Sequence, residues 1–408
     1  MTKNYKKFFF AFRSLNNKNF RHLWFGQVLS AFGMHSDMIA RAWLVWTITG
    51  SSTAIGSVLL VRAVPMLFLG IVGGVAADRF NKKRLLLFIQ SWSAFMHLIM
   101  FLILFYGDIQ MWQIYLISFG LGTSMAMNQP TRTSIIPYLV DSKNLANALS
   151  LNSIAINGTR FIGPALISIL IYSVDIWAAY LCAFVSYLFV IIFTTKIKLS
   201  SSSVIKQKSN PLRQLLEGFI YIKDNRVVLA VVFLGLAPLS IGFAHQTLLP
   251  QLVDQKFGEG VRFLGLIQST GAIGGLLGGF YIATRNRLNN KGRLMLIVTV
   301  SYAASLFGFG ISSLEWALFI LIIIIGSSQT IFRSSNSLTI IELSPEKLRG
   351  RVLSITLLDN ALSPVFGLLV GVIADNWGVN IGYYMLSLGC FVIILIVLLI
   401  YPRIKNIS

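Results

Sequence analysis

Apolar runs of about twenty residues recur along the chain, separated by short polar turns. They predict helices at about Leu23–Ile48, Ala54–Ala77, Leu85–Tyr106, Met111–Met127, Ala146–Tyr172 and Ile176–Thr195. Six more follow at about Val227–Val253, Phe263–Ala283, Leu294–Ser312, Trp316–Ile340, Val352–Ile373 and Ile381–Tyr401. Runs of that length match the ~20 residues a helix needs to cross about 30 Å of hydrocarbon, and far exceed the ~10 of a barrel strand. The expected class is an all-α membrane protein of twelve transmembrane helices.

Composition supports this reading. Of 408 residues, 55% are hydrophobic and 12% charged, and a mean hydropathy of +0.74 excludes a set of soluble domains. The chain begins MTKNYKK, and its first apolar patch, FFFAF, is too short for a signal-peptide core and has no small-residue cleavage site after it. The first span is therefore expected to be retained. Cys182 and Cys390 both lie in apolar runs, which argues against a disulfide framework or metal site; no cofactor is expected.

A net charge of +20 raises the question of nucleic acid, and position answers it. Of the 34 Lys and Arg, 28 fall on the side of the amino terminus, including two assigned to the turn after the fourth span, two fall on the other side and four lie within spans. The positive-inside rule then places both termini in the cytoplasm, as a multi-pass protein of the plasma membrane. The partners expected are the lipid bilayer, protons and a small-molecule substrate, with no nucleic acid, for a monomer.

The polar stretch from Lys196 to Arg226 divides the chain into residues 1–195, a cytoplasmic linker at 196–226, and residues 227–408. Leu212–Ile222 in the linker has the pattern of an amphipathic interfacial helix. The two halves read as a duplication: RTSIIPYLVDSKNLANALS parallels NSLTIIELSPEKLRGRVLS, and RFIGPALISIL parallels NALSPVFGLLV with Pro164 and Pro364 in register. Two related six-helix halves are the architecture of an alternating-access transporter with substrate near the midplane.

The turn after the second span runs Gly74-Val-Ala-Ala-Asp78-Arg79-Phe-Asn81-Lys82-Lys83. It resembles the loop signature of the major facilitator superfamily, with Asn81 where the second Gly would stand; Asn is the next best residue for a positive-φ turn. NFRHLWFGQVLSAFG, the TGSS turn at Thr49–Ser52, RFIGPA and LRGRV narrow the resemblance to the branch of the enterobactin exporter and the macrolide efflux proteins. It implies the major facilitator fold and a gating role for Gly74, Asp78, Arg79, Lys82 and Lys83 together with Gly163 and Pro164, with Asp78 latching the halves. The cations read equally well as topology determinants. The second half has only a degraded copy of the turn, Gly275–Arg293. The sequence departs from other drug-antiporter branches, which carry an Arg inside the fourth helix; YLISFGLGTSMAM has none.

Ionisable groups inside spans cost a few kcal/mol each and mark candidate sites. Asp37 lies about 21 Å along the first helix, and Arg41 one turn later makes an i, i+4 pair able to neutralise itself. The pair is either structural or a proton carrier beside an anion-binding Arg. Arg62 and Arg160 have no acid at i±3 or i±4 in their helices and must find partners elsewhere; the resemblance implies a substrate or coupling role for Arg160, before a break at Gly163-Pro164. Asp359 is a second candidate proton carrier, and His245 with Gln246 is the best placed of the four histidines, His35 and His97 being either packed or pore-facing. Met125, Met127, Asn128 and Gln129 suit an adaptable wall, and the glycines Gly271, Gly274, Gly275, Gly278 and Gly279 suit tight packing across the interface.

The leading expectation is a secondary active exporter of a small amphipathic or anionic compound, such as a siderophore or drug, driven by proton antiport. A nutrient importer or lipid flippase of the same fold fits the same residues. A membrane-embedded enzyme or receptor would need a catalytic constellation; there is no phosphate-cradling loop, nucleophile elbow or paired-histidine metal site in the sequence.

Overall fold

A computed structural model describes residues 12–79, 81–199, 211–285, 290–346, 348–356 and 359–407; the side chains of residues 67, 70–79, 211–215, 354 and 359–361 also fall outside the described set. The described residues are helical with short connections. The first half supplies α1 (Lys18–Thr49), α2 (Ser52–Arg79), α3 (Lys82–Tyr106), α4 (Met111–Ile135), α5 (Ser142–Ser173) and α6 (Ile176–Thr195). After the linker helix α7 (Pro211–Asp224) come α8 (Arg226–Leu236), α9 (His245–Gln251), α10 (Val261–Ala283), α11 (Lys291–Ile311), α12 (Glu315–Leu343), α13 (Arg349–Thr356), α14 (Asp359–Trp377) and α15 (Val379–Ile400).

The predicted spans fall on helical segments wherever they are described; residues 357–358 of the eleventh, Val352–Ile373, lie outside the described residues. Eight stretches among the described residues are long and apolar enough to cross a membrane, one of them the composite Arg226–Lys256, and Ser52–Met66 and Leu362–Trp377 are shorter apolar helices. Arg226–Lys256 replaces one uniform helix by α8, a π segment at Ala237–Ile241, a 3-10 turn, α9 and a second π segment. Pro238 and Pro250 lie in it; each lacks an N–H, and such local π and 3-10 adjustments are how a membrane helix re-satisfies freed carbonyls.

The chain forms two compact units: Met1–Arg41 with Val61–Lys208, and Ala42–Leu60 with Ser209–Ser408. In the first, α3 packs on α4 and α6. The Trp92 indole N–H donates to the Gly120 carbonyl at 2.9 Å, and the Trp24 indole N–H to that of Leu151 at 2.8 Å. In the second, α10 lies against α12: a Cβ on Gly274 would strike the Ile323 backbone, and one on Gly326 the backbone of Gly271. The glycine stripe of α10 therefore serves packing inside this unit, where the sequence pointed to the interface.

The second unit also holds the turn between α1 and α2. Asp375 near the end of α14 accepts from the backbone N–H groups of Ser52 (2.8 Å) and Thr53 (2.9 Å) and from the Ser51 hydroxyl (2.6 Å). A carboxylate thus caps the first turn of α2, where free N–H groups and the helix dipole favour negative charge. The Ser52 hydroxyl donates to Gln251 at 2.7 Å and the Trp46 indole to Asp254 at 3.0 Å. The predicted linker helix is α7, and it packs on α13, with Glu217 and Arg351 ion-paired.

The turn between α2 and α3 differs from expectation. Asn81 has φ −61°, and its side chain accepts from the N–H groups of Lys83 and Arg84. It is the N-cap of α3 and takes no positive-φ turn. The left-handed residue is Asn290, φ 56°, in the corresponding turn of the second half.

Candidate functional site

The site is built on α1 of the first unit. Asp37 and Arg41 are one turn apart, 1% and 3% exposed, and their side chains are ion-paired. The partner that Arg62 lacks in its own helix is this same carboxylate, its Nη1 donating to Asp37 Oδ2 at 2.6 Å. Oδ2 thus serves two guanidiniums while Oδ1 is buried with no partner among the described residues. Arg41 also donates to the Ser118 hydroxyl at 3.3 Å, and Arg62 Nη2 lies 3.8 Å from Met125 Sδ. One carboxylate against two guanidiniums leaves a buried cluster with net positive charge, affordable in low dielectric only because the groups are bonded to one another.

A cavity of about 350 Å³ opens beside the cluster, lined among others by Gln27, Asp37, Arg62, His97, Asn128 and Tyr187. Of the four residues the sequence suggested for its wall, Met125, Asn128 and Gln129 of α4 line it and Met127 does not. His97 is 1% exposed, so it faces the cavity from within the packed helices. Its Nδ1 lies 2.6 Å from the Ser93 carbonyl, and its ring stacks on Tyr187 with centroids 5.2 Å apart. Ser93 and Ser124 are hydrogen-bonded at the same wall.

Other sequence candidates are placed separately. Arg160 is exposed on α5, and the expected break at Gly163-Pro164 is absent: α5 runs unbroken from Ser142 to Ser173. Pro164 removes one N–H to the Arg160 carbonyl but its ring is accommodated in a helix buried there, and Gly163 packs against His35 of α1. His245 is buried in the second unit, its Nδ1 2.8 Å from the Gly242 carbonyl and 3.4 Å from the Tyr302 hydroxyl. The side chains of Gly74, Asp78, Arg79 and Asp359 lie outside the described residues. Lys82 Nζ sits 5.6 Å above the Tyr138 ring, and Lys83 Nζ donates to the Thr195 and Ile197 carbonyls, both at 2.7 Å, at the carbonyl end of α6 where a cation is favoured.

Arg132 corrects the sequence reading. Assigned there to the turn after the fourth span, it lies inside α4, which continues through Pro130 to Ile135, and is 0% exposed. Its Nη1 donates to the Leu23 carbonyl at 3.1 Å, and Nε and Nη2 have no partner among the described residues. The fourth helix therefore does carry an arginine. The signal was the i, i+4 row Ser124, Asn128, Arg132, which continues one helix face past the proline.

With this geometry in hand, comparison with known proteins adds the family. The family model for transmembrane secretion effectors matches residues 10–406. The staphyloferrin A transporter of Staphylococcus aureus (strain NCTC 8325 / PS 47) is 24% identical over 371 residues, 90% of this chain and 92% of that protein. Macrolide efflux protein A of Streptococcus pyogenes is 22% identical over 383 residues, with 90% and 92% covered. Among solved structures, the nucleoside transporter NupG superposes with a TM-score of 0.79 at 14% identity, covering 94% of this chain and 98% of that one; that likeness shows the fold.

Proposed function

The chain belongs to the transmembrane secretion effector family of major facilitator transporters, and from that premise we propose that it is a proton-driven exporter of a small amphipathic or anionic compound. It is a multi-pass membrane transport protein and not an enzyme. The observation that carries the finer reading is Asp37: buried, bonded to Arg41 and Arg62 through one oxygen, with the other oxygen unpartnered at a cavity wall. Substrate and proton take this carboxylate in turn: a donor group of the substrate is held by the unprotonated oxygen, and a proton taken up there removes that acceptor and releases the substrate, so the two alternate as antiport requires. Arg160, His245 and Asp359 are proposed further contacts for substrate or proton, and the turn from Gly74 through Asp78 and Arg79 to Lys82 and Lys83 the gate, with both termini cytoplasmic. No cofactor is needed beyond the proton gradient. The names of the two relatives supply the trial substrates.

Uptake of staphyloferrin A and of a macrolide into everted vesicles under an imposed pH gradient tests the reading. Gradient-dependent accumulation of at least one, abolished by an uncoupler, is expected. Accumulation that ignores the collapse of the gradient would overturn proton coupling.

A further inference from the structure

The unused hydrogen-bonding capacity of the first unit's cavity has a definite sign. His97 Nδ1 faces a backbone carbonyl at 2.6 Å, and a carbonyl only accepts, so Nδ1 must carry the proton. In the neutral ring Nε2 is then a bare acceptor, and it is buried with no partner among the described residues. A second proton on the ring would place a cation among Arg41, Arg62 and one carboxylate, where the charge is already net positive. Asp37 Oδ1 is likewise an acceptor, buried and unpartnered among the described residues. Gln27 and Asn128, which line the same cavity, each leave a side-chain oxygen unpartnered, and their amides can turn to match what they meet.

Such a wall calls for donors, which bound water or a substrate can supply. An unsatisfied buried acceptor forfeits about 1–3 kcal/mol, and here two of them, Nε2 and Oδ1, can be satisfied only by a donor. The ring's anchors at Ser93 and Tyr187 fix the direction of Nε2, so the site is formed before any ligand arrives. A cationic donor would be repelled by the two guanidiniums, whereas Arg62 tolerates or attracts an anion. At about 350 Å³ the cavity is at the small end of the roughly 300–1,000 Å³ usual for ligand sites.

We propose that His97 Nε2 and Asp37 Oδ1 form an accepting subsite for hydroxyl or amide N–H groups of a neutral or anionic substrate, and that the subsite discriminates against positively charged ones. It deepens the transport reading and rests on it, adding His97 as a specificity-determining residue.

The test uses the full chain, labelled with 13C and 15N at histidine, in lipid nanodiscs, with glucose, gluconate and glucosamine as hydroxylated probes of one size and three charges. The His97 resonances are those missing from His97→Phe, which keeps a ring on Tyr187 and removes both nitrogens; His97→Gln replaces it if that variant does not fold. We expect a neutral ring protonated at Nδ1. Its Nε2 resonance should move saturably with glucose and gluconate, with glucosamine binding about tenfold or more weakly, and calorimetric affinity for glucose should fall about tenfold in the variant, as for loss of one buried hydrogen bond. A proton on Nε2, an equal response to glucosamine, or no response to any probe would overturn the proposal. These equilibrium measurements use no gradient: vesicle flux indifferent to the gradient defeats proton coupling while leaving the subsite standing, and a silent Nε2 defeats the subsite alone.

Discussion

The two units use their charges in opposite ways. In the first, a carboxylate sits within the length of α1 opposite two guanidiniums, with a cavity beside it. In the second, Asp375 and Asp254 lie at element ends, one capping α2 and the other holding Trp46. A repeat offset of about 200–205 residues carries Arg41 to residues 241–246, which include His245 and Gln246, and His97 to residues 297–302, which end at Tyr302. There the ionic cluster is replaced by an imidazole beside a phenol, 3.4 Å apart. The related helices therefore carry different interior chemistry: among the described residues, the first unit pairs buried charges beside its cavity, and the second sets an imidazole beside a phenol in a helix broken by π segments. The coupling proposed through Asp37 belongs to the first unit, beside the contacts proposed for His245 and Asp359 in the second.

The sharpest way to break this contrast is to remove the buried carboxylate. Asp37→Asn leaves Arg41 and Arg62 buried without a counter-charge, and the expected loss is about 3–5 kcal/mol, read as a large drop in thermal unfolding temperature in detergent. The triple variant Asp37→Asn, Arg41→Met, Arg62→Met should recover most of it, because removing an entire buried ion cluster is often close to neutral. If the single variant unfolds like the wild type, the cluster is not the ionic centre of its unit.

How much of this was legible in the sequence follows from the range of each interaction. The helices were readable because crossing hydrocarbon demands length and apolarity, both local properties. The Asp37–Arg41 pair was readable from i, i+4 spacing alone. Arg62 was legible only as a need, since its acid lies on another helix and no spacing encodes that approach. Arg132 was misplaced because QPTRTS reads as polar turn, yet the helix continues where its neighbours bury that face. Asn81 was assigned by analogy with glycine, whereas a side-chain oxygen next to a helix start has a second use as N-cap, and backbone angles alone separate the two. His97 was visible only as a histidine in an apolar run; its tautomer, and so its chemistry, depends on the Ser93 carbonyl one turn away.

A smaller effect sharpens the other side of the contrast. If the second unit's acids serve structure, Asp375→Ala should cost about 1–2 kcal/mol, the range for losing a helix cap with favourable dipole charge. Asp375→Asn, which keeps two acceptor sites on oxygen and loses the charge, should cost less than the alanine change. Thermal unfolding of the two variants beside the wild type gives the order, and an asparagine variant as unstable as the alanine one would mean that charge, not hydrogen bonding, secures the α2 start.

The smallest effect concerns the two corresponding turns, where one residue type does different work. Asn81 caps α3 with its side chain at φ −61°, so Asn81→Ala should cost about 1 kcal/mol and Asn81→Gly only a few tenths. Asn290 stands at φ 56° with no cap hydrogen bond from its side chain, so Asn290→Gly relieves a left-handed strain without losing a cap and should be neutral or slightly stabilising. Asn290→Ala, by contrast, should cost about 1–2 kcal/mol, because a Cβ is disfavoured in that region. Both alanine variants thus lose stability and only the glycine variants separate the turns. A measurable loss in Asn290→Gly would show that its amide, and not its backbone, is what the second turn uses.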